Sequence, residues 1–155
     1  MKELRELCLE LDLQNPRTVL ASGNLVFEAQ KLGCADLSER LRSAILTQFK
    51  ADIDLVILES QDFQQILAAD PISPEGKRRD WLTVMFFSSP PTTEQWEKAL
   101  EKHQGPEIVE TGSRAAYIYY TDGIGRSKLN LGSAINQSGT VRNRNTLEKV
   151  VALLG

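Results

Sequence analysis

Residues 70–80, DPISPEGKRRD, break every hydrophobic rhythm in this 155-residue chain with two prolines, a glycine and a run of charges. Proline fixes φ and removes an amide donor, so such a stretch ends one folded segment before another begins. Downstream, WLTVMFF (residues 81–87) reads as a buried strand, and Thr92 with Gln95 makes a capping box for a helix to about Lys102. EIVETGSRAAYIYYTDG (107–123) has the pattern of a hairpin with Gly112-Ser113 near its turn. A helix over about Ser127–Asn136, a short extended GTV and a last helix with Leu147, Val150, Val151 and Leu154 on one side complete the half.

Upstream the order is similar. Leu4, Leu7, Cys8 and Leu11 predict an amphipathic helix over residues 2–13, ended by QNP, and RTVLASGNLVFEA (17–29) predicts a hairpin turning at Gly23-Asn24. Asp36 with Glu39 predicts a capped helix whose Leu37, Leu41, Ala44, Ile45 and Phe49 share a face. A strand over DIDLVILE (52–59) and a short helix from Ser60 to about Ala69 follow. The second half thus runs strand, helix, strand, strand, helix, strand, helix, and the first half repeats this without the opening strand. The pattern predicts an α+β protein of two tandem ferredoxin-like (βαββαβ) halves, 1–72 and 73–155, the first incomplete and the second carrying a C-terminal helix. A sheet short of a strand exposes backbone polar groups, which predicts that another surface covers them or that the chain is shortened at its start.

Hydrophobic content of 41%, charged content of 25% and a mean hydropathy of −0.27 disfavour disorder and membrane insertion. The longest apolar runs, such as VVALL, are far too short for a bilayer. The opening MKELRELCLELDL mixes charge and leucine in helical rhythm rather than in the form of a secretory signal, so a cytoplasmic location is expected. Cys8 and Cys34 lack a paired spacing and are expected to be reduced thiols, with no disulfide framework or metal site. The net charge of −3 is uneven: residues 1–76 carry 7 basic and 13 acidic side chains, residues 77–155 carry 11 and 8. The front half repels polyanions and the back half attracts a small anion.

Two stretches of the basic half carry the candidate site. In TDGIGRSKLNLGSAIN, glycines precede Arg126, Ser127 and Lys128, which fall at an expected helix start, where free amides and the positive helix end favour an anion. In TVRNRNTLEKVVALLG, Asn145 followed by Glu148 is a good helix cap, yet Arg142 and Arg144 stand just before it against the dipole. Arginine suits bidentate recognition of carboxylate or phosphate. If the two helix starts share one end of the second sheet, Arg126, Ser127, Lys128, Arg142, Asn143, Arg144, Asn145 and Thr146 form one electropositive patch for a small anionic or phosphate-bearing ligand. The alternative is that the arginines pair with carboxylates of the acidic half. A further alternative is a non-catalytic interaction module that recruits a partner strand to the open first sheet.

Other chemistry finds no pattern. His103, the sole histidine, lies in EKHQGP at an expected helix end, where an imidazolium interacts ordinarily with carbonyls. No ligand spacing for a metal, no nucleophile elbow and no P-loop or dinucleotide fingerprint occurs. Tyr117 and Tyr119 share a strand face, but the aromatic ribonucleoprotein signatures are missing and the chain has a pI near 5.3, so nucleic acid is not an expected partner. No catalytic residue is assigned, no cofactor is expected, and the oligomeric state stays open.

SGNLVF at Ser22–Phe27, GRSKL at Gly125–Leu129 and TVRNRNT at Thr140–Thr146 resemble, in order and separation, the three signature stretches of the bacterial domain of unknown function 1697 family. The resemblance extends over essentially the whole chain and implies two ferredoxin-like halves. It brings no established activity and therefore no catalytic residue. Members of that family open with a strand and a glycine-rich RGINVGG-like segment, so the resemblance is to an N-terminally shortened member. They also commonly carry tryptophan where Arg144 stands.

Overall fold

Six α-helices and six β-strands form among the residues that the computed structural model describes, 1–19, 23–30, 32–137 and 139–154. They belong to two units, Met1–Ser60 with Thr146–Gly155, and Gln61–Asn145.

In unit 1, α1 (Lys2–Glu10) buries Leu7 and Cys8. β1 (Gln14–Val19) pairs antiparallel with β2 (Asn24–Glu28), Arg17 opposite Val26 and Val19 opposite Asn24. The expected hairpin forms and begins earlier than its β-branched run suggests. Gln14–Pro16 enter the strand through a register irregularity at which Asn15 adopts a φ of 51°, and a broken ladder is where a strand tolerates proline. Residues 20–22 of the expected turn lie outside the described residues; Gly23, with φ of 80°, supplies the conformation that a Cβ disfavours. α2 (Cys34–Phe49) buries Leu37, Leu41 and Ile45 as the spacing requires. Its N-cap is Gly33, so Asp36 sits in the first turn, where its charge opposes the helix dipole favourably. The strand expected over 52–59 does not form. The two strands of unit 1 pair only with each other, which leaves this segment no ladder to join. Leu55 and Ile57 are nonetheless held by apolar contact with the cluster of Leu7, Cys8, Leu13, Leu37, Leu41 and Ile45.

Unit 2 contains α3 from its second residue (Ser60–Ala68), β3 (Leu82–Phe87), α4 (Thr93–Lys102), β4 (Ile108–Thr111), β5 (Ala115–Tyr119), α5 (Leu131–Ile135) and β6 (Gly139–Asn143). Its antiparallel sheet has the order β4-β5-β3-β6. All six residues of β3 are buried. Met85 and Phe87 join Ala116, Ile118, Trp96 and Ala99 in the main core on the α4 and α5 face, with Trp96 edge-on to Phe87 at 5.7 Å. On the other face Phe86 stacks on Phe63 of α3 at 5.6 Å, and the Tyr117 hydroxyl donates to the Ile66 carbonyl at 2.7 Å. These contacts explain why the boundary falls at Ser60/Gln61 rather than at the proline-rich stretch near residue 72. The box of Thr92 and Gln95 caps α4 in both directions, at 3.1 and 2.8 Å.

Two expected elements are corrected near the C-terminus. The helix expected over 127–136 is only α5, because the Asn130 side chain caps it by accepting from the Ser133 amide at 3.1 Å. The short extended stretch is the five-residue β6, which runs directly into α6 (Arg144–Leu154). All but the first two residues of α6 group with unit 1, not with the second half, where Arg17 of β1 donates to the Leu153 carbonyl at 2.5 Å. No helix among the described residues is long and apolar enough to cross a membrane.

β6 starts at a point of tight contact. A Cβ on Gly139 would lie 2.8 Å from the Phe86 carbonyl and 2.7 Å from Met85 Cε, and the carbonyl cannot move without breaking the ladder. Gly139→Ala is expected to destabilise by about 1–3 kcal/mol, measured by urea denaturation. Gly125→Ala, with open space around it, should change stability by less than about 0.5 kcal/mol; equal midpoints for the two variants would contradict this packing.

Candidate functional site

β5 and β6 both run antiparallel to β3, so they are parallel to each other; Tyr119 lies opposite Leu82 and Asn143 opposite Thr83. Both candidate stretches therefore follow strands that end at the same edge of the sheet, where β3 begins. The side chains they carry diverge from that edge.

Arg142 is not at a helix start. It lies within β6 opposite Val84, on the sheet face that meets α3, and its Nη1 donates to Thr140 Oγ1 at 2.6 Å and to the Val141 carbonyl at 2.8 Å. Burial pushes its guanidinium below the ordinary arginine value. Asn143 continues the strand opposite Thr83. Arg144, the first residue of α6, donates from Nη2 to Asp70 Oδ2 at 3.1 Å, and the Asp70 side chain is only 10% exposed. A carboxylate of the acidic half thus neutralises it. Asp70 is fixed in turn by accepting from the Ile72 amide at 2.9 Å. Asn145 accepts from Arg79 Nε at 3.3 Å, and Thr146, the first residue of the chain's return to unit 1, is buried. A strand that passes without a loop into a helix, not a free helix end, accounts for these placements.

The other stretch stays at the surface. After β5 the chain turns at Gly123 (φ 86°), with Trp81 beneath it and Arg78 over the Trp81 ring at 4.3 Å. A 3₁₀ turn, Ile124–Arg126, leads to Ser127. Arg126 and Lys128 are exposed. Ser127 points the other way: its hydroxyl donates to Glu107 Oε1 at 2.5 Å and accepts from the Leu129 amide at 3.1 Å. These two bonds hold residues 127–130 out of the helix.

Beside this segment, on the α4 and α5 face, lies a cleft of about 490 Å³. Met85, Ile118, Leu129, Leu131 and Val141 give it an apolar floor, while Tyr120, Asn130, Ser133, Asn136 and Gln137 bring polar groups to it. Among the described residues no charged side chain lines it. α5, which forms one wall, is fixed at 2.9 Å by Gln95 Nε2 on the Ile135 carbonyl and at 2.8 and 3.0 Å by the reciprocal pair of Gln137 with Ser89. The cleft is open, and its exposed lining is at least as polar as apolar, so it offers hydrogen-bonding groups beside an apolar floor rather than an enclosed apolar pocket. Sequence reasoning placed the cations near it but missed the cleft, which is assembled from three separated stretches of chain, at residue 85, 118–120 and 129–141.

Glu107 was also missed as a functional candidate. It has no periodic neighbours that mark it, yet its side chain is 5% exposed. The Ser127 hydroxyl lowers its pKa below the usual carboxylate range, against the opposing effect of burial. Burial and the Glu107 charge raise that of the Tyr120 hydroxyl, at the cleft. Among the described residues no group of three or more histidine, cysteine, aspartate or glutamate side chains could hold a metal ion.

The family model described as "Protein of unknown function (DUF1697)" matches residues 1–117. The first signature stretch falls within that match and the other two lie beyond it. No curated protein and no solved structure matches the chain.

A carboxylate whose folded pKa is depressed adds stability above its unfolded value and loses it as pH falls through the folded one. Glu107→Gln is therefore expected to lower the melting temperature at pH 7, with the difference from wild type closing as pH falls below the ordinary carboxylate value. Thermal melts across that range check it; a pH-independent difference would assign the effect to packing alone.

Proposed function

This chain belongs to the family described as protein of unknown function (DUF1697), whose membership brings no activity, and we propose from the geometry that unit 2 binds a small anionic, phosphate-bearing ligand in the cleft beside residues 126–130. The observation that carries this reading is the contrast among the candidate cations. Arg142 and Arg144 are engaged within the fold, whereas Arg126 and Lys128 are exposed and their side chains make no hydrogen bond or ion pair among the described residues. Their segment continues straight into the cleft wall at Leu129 and Asn130.

Two cations with no internal acid raise the local concentration of an anion. The amide and hydroxyl groups of Asn130, Ser133 and Gln137 then orient its polar part while the floor excludes water from the remainder. Ser127 serves this arrangement as a positioning residue, holding the segment through Glu107 and the Leu129 amide. We also read both units as copies of one ferredoxin-like plan. In unit 2 the strand order β4-β5-β3-β6, with α4 and α5 on one face, supports that reading. In unit 1 the antiparallel pair β1–β2 followed by α2 does so.

Calorimetric titration of inorganic phosphate, a sugar phosphate and a nucleoside monophosphate tests the binding. With the tightest of the three, Lys128→Ala and Arg126→Ala should each weaken affinity roughly 10-fold or more, the loss of a charge-assisted contact. Arg142→Ala should leave the affinity within about twofold, since its guanidinium serves the β6 backbone. Absence of binding at millimolar concentration, or equal affinities in all variants, would overturn the reading.

A further inference from the structure

His103, the only histidine of the chain, follows α4 directly and its side chain is 15% exposed. Its Nε2 lies 3.0 Å from the Glu107 carbonyl oxygen. A carbonyl only accepts, so Nε2 carries the proton in the neutral ring and Nδ1 is left with a lone pair. Nδ1 faces Glu107 Oε2 at 3.9 Å. That oxygen is buried and has no hydrogen-bond donor among the described residues, an arrangement that costs free energy unless a donor is supplied. The same oxygen packs against the backbone of Gly105, where a Cβ would collide with it.

We propose that His103 and Glu107 form a proton-operated clamp, in which a proton taken from solvent onto Nδ1 gives Oε2 its missing donor and tightens the 103–107 turn against the carboxylate that holds Ser127. Released, the proton returns to solvent and the ring keeps only its bond to the Glu107 carbonyl. Because Glu107 Oε1 binds Ser127 and Ser127 binds the Leu129 amide, the state of the clamp is transmitted to the segment that walls the cleft. The ionisable groups around the ring are Glu107 itself, Tyr120, whose hydroxyl is raised by burial and by the Glu107 charge, and Lys102, its neighbour in sequence. Histidine is the side chain whose charge changes in the range where cells regulate pH, and the carboxylate stays ionised throughout that range. The clamp concerns the position of residues 127–129 and stands whether or not the cleft holds an anion.

With a single histidine, the ¹⁵N ring spectrum is unambiguous: at pH 8 it should show the Nε2–H tautomer. The backbone amides of Ser127 and Leu129 should shift with the same midpoint as the ring. In Ser127→Ala the Leu129 response should vanish while the ring still titrates. An Nδ1–H tautomer, or Ser127 and Leu129 amides indifferent to the ring in the wild-type chain, would overturn the proposal.

Discussion

β3 is hydrogen-bonded along both edges and buried on both faces, and the remainder of unit 2 is organised by that double demand. A strand in this position admits only side chains that satisfy two different cores at once. Met85 and Phe87 serve α4 and α5; Val84 and Phe86 serve the face that meets α3. Thr83 is the polar exception, and it is tolerated because its hydroxyl donates to the Ile118 carbonyl at 3.0 Å. The cleft inherits its floor from the same strand through Met85, so the site cannot be changed in shape without touching the core.

Much of this was legible where local chemistry decides the outcome. WLTVMFF announced β3 by an unbroken apolar run, Thr92 and Gln95 announced the start of α4, and Leu37, Leu41 and Ile45 announced the buried face of α2. The errors arose where a partner distant in sequence overrides local preference. DIDLVILE has strand composition but no strand beside it in unit 1, and composition cannot supply a ladder. Asn145 has the identity of a cap, yet β6 continues into α6 without a turn, so the residue faces Arg79 instead. Ser127 sits where a helix could begin, but a carboxylate twenty positions earlier takes its hydroxyl.

The electrostatics of unit 2 separate cations by what lies within reach. Arg144 meets a largely buried Asp70 and Arg142 meets backbone and hydroxyl oxygens, so the two arginines that most opposed a helix dipole in the sequence are accounted for inside the fold. Arg78 is balanced by Asp80 at 2.8 Å. In the 126–130 segment Ser127 bonds Glu107, while Arg126 and Lys128 are exposed.

Unit 2 occupies one uninterrupted length of chain, Gln61–Asn145, while unit 1 is closed by Thr146–Gly155. During synthesis on the ribosome, every residue of unit 2 emerges before the last helix of unit 1 has left the exit tunnel. Arg17 must therefore wait for Leu153 through the production of more than a hundred intervening residues, the 136-position separation that their hydrogen bond spans. The amino-terminal half is the first to be made and the last able to complete its tertiary structure.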